Sequence, residues 1–424
     1  MKILIYGLNF APELTGIGKY TGELASYLQR QNEEIRIVTA PPYYPEWKIY
    51  PGFSAWRYSK AIIPAPEPNF ASGPVLVIFR CPLWVPPRIN GFSRLVHLAS
   101  FALSSIPVIF KQIFWRPDVV IVIAPAFFCA PGAWLVARLS GAKAWLHVQD
   151  FEVDAAFALG ILKSGLLRRM VASIESFIMR RFDRVSTISS RMMERLTTKG
   201  VATEHQALFP NWVDTETIHP LAAPSPMRTK LGLRDAAIMV LYSGNMGEKQ
   251  GMDILLDAAA RLATHPHLRF VLCGDGVARA RLARQYAHLK NIIWLDLQPL
   301  EELNNLLNAA DIHALPQRTD AADLVMPSKL TGMMASGRPT VAAAAVGTEI
   351  ANAVEGAGLL VPPGDATAFA IAIETLASDV TLRARLGAVA RVRAVETMGM
   401  NAILERLERE LFACAGRIKT PWRL

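Results

Sequence analysis

Along the first two hundred residues, short uninterrupted apolar runs alternate with stretches whose apolar residues recur every three to four positions. The runs at 2–7, 34–39, 75–80, 118–123, 143–148 and 184–189 predict strands. Most lack an in-and-out alternation, as parallel strands covered on both faces do. Helical periodicity predicts helices over 19–30, 95–115 and 165–182. Residues 40–74 show neither pattern and are rich in Pro, Tyr and Trp, an irregular insertion of the kind that carries a binding surface. Pro220, Pro224 and Pro226 break the pattern again. Strands then return near 238–243, 268–273, 291–295, 311–315 and 339–343, with helices between them and a last helix over 402–415. The pattern predicts two Rossmann-like α/β domains in series, facing each other across a cleft. Residues 1–208 form the first, 209–234 a linker and 235–397 the second, with 398–424 packing back on the first.

A length of 424 residues agrees with two domains. The apolar share of 52% against 19% charged allows large cores and leaves apolar surface for a membrane. The net charge of +9 points to an anionic partner: nucleotide phosphates, lipid headgroups or nucleic acid. No basic run with interleaved aromatics occurs, so no nucleic acid partner is expected. Lys163 to Lys199 holds nine basic residues against three acidic ones, two-thirds of the net charge. There Leu166, Leu167, Met170, Val171, Ile174, Phe177 and Ile178 share one helical face. That stretch is either a face for an anionic membrane or a core helix with arginines at its ends. The apolar helix at 95–115 is interrupted by His97, Ser100, Ser104, Ser105, Pro107, Lys111 and Gln112, and is not expected to span a bilayer. Cys81, Cys129, Cys273 and Cys414 are far apart and read as reduced thiols of a cytosolic protein. The apolar run at the N-terminus is too short for a signal peptide, so no export is expected.

Candidate chemistry gathers where strands end. At 238–252 a strand, a glycine turn and a helix start follow one another, an arrangement that holds anions, and Lys249 adds a positive charge. The loops 244–251, 274–276 and 318–329 each follow a strand and should share one rim. Ser328 is a candidate N-cap. Lys329 beside it is unfavourable for the helix dipole unless an anion is near. No Asp-x-Asp occurs, so a diphosphate would be neutralised by lysines and amides without a metal. Gly16-Ile17-Gly18 lacks the third glycine of a dinucleotide fingerprint, which disfavours a nicotinamide dehydrogenase. No P-loop, His-Glu-x-x-His or Gly-x-Ser-x-Gly is present. Asp150 follows a strand, as either a helix cap or a group at a site.

Taken in order, several short motifs form one pattern. They are Phe10-Ala11-Pro12-Glu13 with Thr15 to Gly18, Gln149-Asp150, Pro210-Asn211-Trp212-Val213-Asp214 and Ser243-Gly244-Asn245 with Lys249-Gln250-Gly251. Gly274-Asp275-Gly276, Ala310-Asp311, Pro316 and Pro327-Ser328-Lys329-Leu330 complete it. Over nearly its full length the chain resembles a family-four retaining glycosyltransferase of the GT-B fold, most like the colanic acid biosynthesis branch. The resemblance implies Lys249 and Asp150 as catalytic residues, and Gly16, Gly18, Gly244, Asn245, Lys249, Ser328 and Lys329 around the donor diphosphate. It implies Gly274, Gly276, Pro299, Leu300 and Asp323 around the nucleoside and sugar. The family's pair of glutamates falls at Leu324 and Gly332, where this chain has neither.

The implied partners are a nucleotide-sugar donor, used as substrate with no further cofactor, and a lipid-linked glycan acceptor. The implied place is the cytoplasmic side of the inner membrane, held peripherally at an anionic surface. GDP-fucose is the first donor to test; a UDP-amino-sugar and a degenerate sugar-nucleotide-binding subunit stand as alternatives. Retention without a carboxylate nucleophile implies front-face attack, and Lys249→Ala is expected to lower turnover several-fold or more.

Overall fold

The computed structural model describes residues 1–14, 16–64, 75–88, 90–125, 127–151, 165–247, 250–318 and 328–417. The chain divides into two α/β units, Met1–Pro210 with Leu404–Leu424, and Asn211–Ile403.

The first unit is built on β1 (Lys2–Gly7), β2 (Glu34–Thr39), β3 (Ser59–Ile63), β4 (Leu76–Arg80), β5 (Val119–Ala124), β6 (Lys143–Val148), β7 (Arg184–Thr187) and β8 (Gln206–Leu208). Their order is β3-β4-β2-β1-β5-β6-β7-β8, parallel throughout except for β3 against β4. All six residues of β5 are buried, and Ile3, Leu4 and Ile5 of β1 are fully so. Burial on both faces is why these strands read as unbroken apolar runs. The helices are α1 (Gly16–Arg30), α2 (Gly91–Lys111), α3 (Ala130–Ser140), α4 (Gly165–Met179) and α5 (Ser190–Thr198). The step from β1 to β2 runs toward one edge of the sheet, whereas the steps after α2, α3, α4 and α5 run toward the other. Right-handed crossovers therefore put α1 on one face and α2 to α5 on the opposite one.

The sequence reading lacked α3, α5 and β8, and it differs from the structure at β3, α1 and α2. β3 lies inside the expected irregular insertion; all five of its residues are exposed at the sheet edge, so it carries no apolar signal. α1 begins at Gly16, which places Gly16 and Gly18 in its first turns and not in the preceding loop. α2 begins four residues before the predicted start, because Asn90 and Ser93 cap it reciprocally at 2.9 Å each way.

Of the polar residues that interrupt α2, His97 and the serines face inward, whereas Lys111 is exposed. His97 Nδ1 bonds the Trp84 carbonyl at 2.7 Å, Ser104 Oγ donates to the Pro82 carbonyl at 2.6 Å, and Ser105 Oγ meets the Tyr6 hydroxyl at 2.5 Å. Gly91–Trp115 is, among the described residues, the one helix long and apolar enough to cross a membrane. Its polar contacts fasten it to the sheet of the first unit.

The second unit contains β9 (Ile238–Ser243), β10 (Leu268–Cys273), β11 (Ile292–Leu295), β12 (Ile312–Leu315), β13 (Thr340–Ala343) and β14 (Gly358–Val361). They form a parallel sheet of order β11-β10-β9-β12-β13-β14. Val213, Ile218 and Met227 enter its core beside Met239, Leu241 and Ala342, so the proline-rich stretch expected as a linker is packed chain. The helices that bear on the site are α6 (Met252–Arg261), α7 (Arg279–Gln285) and α8 (Ser328–Ala335).

A final helix, α9 (Met400–Cys414), starts in the second unit and belongs to the first from Leu404 onward. There Leu404, Leu407 and Leu411 are buried, and the Tyr27 hydroxyl of α1 donates to Glu408 at 3.2 Å. Arg417 closes on Asp118 at 2.5 Å. The chain thus passes between the units twice. The two passing stretches are joined by Val213 N–H to the Met398 carbonyl and Met400 N–H to the Val213 carbonyl, each 2.9 Å.

Candidate active site

In a doubly wound sheet, ligands bind outside the carboxyl ends of the strands where the strand order reverses. The first unit reverses between β1 and β5, the second between β9 and β12. Each reversal has a constructed site.

At the first, Leu8 and Asn9 beyond β1, Pro125 beyond β5 and Asp150 beyond β6 line an open pocket. Gly16 and Ile17 of α1, Tyr43, Tyr44 and Trp47 of the insertion, and Arg94, His97 and Leu98 of α2 complete the lining. The structure thus brings Gly16 and Asp150 to one pocket. Gly18 is turned elsewhere: it backs onto the Glu13 side chain.

Glu13, 2% exposed, is the clasp of this pocket. Its carboxylate accepts from Tyr43 N–H at 3.0 Å, Tyr44 N–H at 3.1 Å and Asn9 Nδ2 at 2.9 Å. Burial pushes its pKa up against those bonds. Arg80 ends β4 and donates to the carbonyls of Ala40 at 2.8 Å and Ala11 at 2.5 Å, with Phe53 stacked on its guanidinium. Burial lowers its pKa to about 10, with Glu13 opposing. His97, 1% exposed, stands edge-on to Tyr43 and tilted against Trp47. Burial holds its pKa below the ordinary value, so the ring is neutral at pH 7. Its Nε2 has no hydrogen-bond partner among the described residues.

At the second reversal, three loops close on one another. Gly244 N–H continues the β9–β10 ladder to the Cys273 carbonyl at 3.0 Å. Met246 N–H reaches the Asp275 carbonyl at 2.8 Å, and Ala278 N–H reaches the Met246 carbonyl at 3.0 Å. Gly274 and Gly276 have φ of +136° and +153°. A side chain at Gly274 would collide with the Gly244 carbonyl, and one at Gly276 would stand 2.6 Å from Asn245 and Met246. The third loop arrives at Gln317, whose backbone lies against Gly251.

Lys329, in the first turn of α8, reaches into this cluster. Its Nζ donates to the Tyr242 hydroxyl at 3.0 Å and to Gln250 Oε1 at 3.2 Å, and sits 4.3 Å from the centre of the Tyr242 ring. The Tyr242 hydroxyl in turn donates to the Asn245 carbonyl at 2.6 Å. Among the described residues no carboxylate forms an ion pair with this ammonium. Burial lowers its pKa to about 7. The arrangement is a lysine amine held under a glycine-containing loop with no described carboxylate beside it.

Ser328 is exposed at the start of α8, and Asn245 is exposed on the loop. Pro299 and Leu300 follow β11, two strands away from β9 at the sheet edge. Lys249, Asp323 and the Leu324 position lie outside the described residues; Gly332 is in α8 against Leu307. Reading the sequence missed Tyr242 and Gln250 as partners of Lys329, and His97, Tyr43 and Trp47 at the pocket. The aromatic run Tyr43-Tyr44-Pro45-Glu46-Trp47 was the available signal for the last two.

Known proteins resemble this chain over most of its length. Residues 15–212 match the family model described as glycosyl transferase 4-like domain, and 237–379 match glycosyl transferases group 1. The chain is 40% identical over 416 residues to WcaI of Escherichia coli (strain K12), a glycosyl transferase assigned to colanic acid biosynthesis; 96% of this chain and 98% of that protein are covered. Among solved structures, sucrose-phosphate synthase from Thermosynechococcus elongatus superposes with a TM-score of 0.73 at 19% identity, over 97% of this chain and 100% of that one. HepE of Anabaena in complex with UDP and glucose gives 0.68 at 15% identity, again over 97% and 100%.

Proposed function

The chain belongs to the glycosyltransferases of GT-B fold related to the colanic acid biosynthesis branch, and from that premise we propose that it transfers a sugar from a nucleotide-sugar donor to a lipid-linked glycan in exopolysaccharide assembly. The observation that carries this reading is the Lys329 ammonium, hydrogen-bonded to Tyr242 and Gln250 under the Gly244–Asn245 turn, with no described carboxylate to neutralise it. A donor diphosphate supplies the missing charge. Gly244, Asn245, Ser328 and Lys329 then hold the phosphates, and Gly274 and Gly276 keep the loops close enough to do so. The first unit's pocket takes the acceptor, with Asp150 and the aromatic rings of Tyr43 and Trp47 to hold a sugar.

In the transfer, the bond from the sugar's anomeric carbon to phosphate breaks while a bond to the acceptor oxygen forms on the same face. The leaving phosphate takes the acceptor's proton. Lysine charge and oriented backbone dipoles stabilise the departing diphosphate, so the reaction as proposed needs no divalent metal and EDTA leaves the rate unchanged. The enzyme works at the cytoplasmic face of the inner membrane, where lipid-linked acceptors reside.

The donor is GDP-fucose or a UDP-linked sugar; UDP is the nucleotide bound to HepE of Anabaena. Thermal-shift measurement against GDP-, UDP- and dTDP-sugars tests the reading. Stabilisation by one nucleotide family, with sugar transfer or hydrolysis, is the expected result. No stabilisation by any of them overturns it, and binding without turnover leaves a sugar-nucleotide-binding subunit in its place.

A further inference from the structure

A helix on the outside of a soluble unit ordinarily turns its polar residues to water and its apolar residues to the core. α2 departs from this: beside Leu98, Phe101 and Ile109 it buries polar residues, and it leaves a second apolar face outside. Ser93, His97, Ser105 and, just beyond it, Gln112 are buried. Phe92, Leu103 and Ile106 are 75%, 67% and 47% exposed, and Phe114 in the turn that follows is 88% exposed. With Val96 they recur at helical spacing along one face of a helix about 30 Å long.

The neighbouring helices extend that face. Leu135 and Leu139 on α3 are exposed, as are Met170, Ile174 and Phe177 on α4. α2 packs beside α3. Arg181 lies over both Trp134 of α3 and Phe177 at the end of α4. The handedness of the crossovers puts all three helices on the same side of the sheet. An apolar surface of this extent on an isolated unit marks an interaction site.

Charge decides what covers it. From Pro68 to Gln149 the chain has seven Lys and Arg and one acidic residue, Asp118, which is bound to Arg417. Arg88, Lys111, Arg116 and Arg138 are exposed along α2 and α3. Apolar side chains ringed by cations, without carboxylates, match lipid tails beneath anionic headgroups.

We propose that the outer faces of α2, α3 and α4 dock on an anionic phospholipid membrane, with α2 lying in the interfacial plane. The first two turns of α2 then serve two ends: Phe92 and Val96 enter the membrane, while Arg94 and His97 line the pocket beyond β1 and β5. A lipid-linked acceptor reaches the pocket without leaving the bilayer. Only this last step rests on the transferase reading; the docking itself does not.

The test is flotation of the full chain with phosphatidylglycerol–phosphatidylethanolamine vesicles and with phosphatidylcholine vesicles at low salt. Wild-type protein floats with the anionic vesicles. Combining Phe92→Ser, Leu103→Gln and Phe114→Gln lowers the bound fraction at least tenfold. Lys111→Gln with Arg138→Gln lowers it several-fold on anionic vesicles only. Ile371→Gln, at an exposed apolar site on the second unit, changes nothing. All variants keep the wild-type unfolding midpoint, because each substituted side chain is at the surface. Failure of wild-type protein to float, or flotation of the triple variant at the wild-type level, overturns the proposal. So does a dimer in solution that the triple variant dissociates while vesicles bind nothing, since a second copy then covers the face. A protein that floats but responds to no nucleotide sugar removes the transferase reading and leaves the docking surface intact.

Discussion

At Lys329 two influences act on one ammonium in opposite directions. Burial favours the neutral amine and brings the pKa to about 7, while the Tyr242 ring 4.3 Å away favours the cation. A bound diphosphate tips the balance toward the cation. Binding therefore takes up a proton above pH 7, and affinity for a nucleoside diphosphate falls as pH rises from 7 toward 9, by at most about tenfold per unit. Calorimetry in two buffers of different ionisation enthalpy measures the uptake. Lys329→Met weakens binding at pH 6.5 and flattens the pH dependence. Without ligand the sign reverses: the unfolded chain binds more protons between pH 7 and the ordinary lysine pKa, so stability rises with pH across that window. The lysine at a helix start was legible in the sequence as an anomaly that asks for an anion. Its partner Tyr242 was not, because a tyrosine inside an apolar strand reads as core.

Between elements, the pocket of the first unit depends on one buried carboxylate. Glu13→Ala leaves the N–H groups of Tyr43 and Tyr44 and the Asn9 amide without their acceptor. At roughly 1 kcal/mol or more for each such donor, the loss is about 3 kcal/mol, read as a lowered urea midpoint. Glu13→Gln keeps an acceptor oxygen and loses less. The central strands were legible because burial on both faces leaves uninterrupted Val, Ile and Leu. β3 was illegible because an exposed antiparallel edge strand obeys no apolar pattern, and β8 because three residues are too few to show one. α2 was legible as a helix and its polar positions as breaks in an apolar run, but the buried partners the fold supplies to them were not. Periodicity locates a face; it does not say which way the face points.

For the molecule as a whole, the first unit is discontinuous in sequence and the second is a single uninterrupted stretch. The join is energetic as well as topological: Leu411→Ala, at a fully buried site on α9, is expected to cost about 2–5 kcal/mol. Hydrogen exchange should then speed up in α1, which α9 touches through Tyr27 and Glu408, and stay unchanged in β9. Two α/β repeats were legible from the renewed strand–helix alternation after Pro226. The packing of residues 211–234 was not, since prolines mark irregular backbone whether it is buried or free.

This discontinuity orders events on the ribosome. The second unit can fold as it emerges, but the first cannot close until its last helix has been made. At about 5–20 residues per second, the roughly 190 residues in between take on the order of 10–40 s to synthesise. For that interval Tyr27 lacks Glu408 and the part of the first unit that Leu404, Leu407 and Leu411 cover is open, so the nascent unit must be kept from sticking to others like itself.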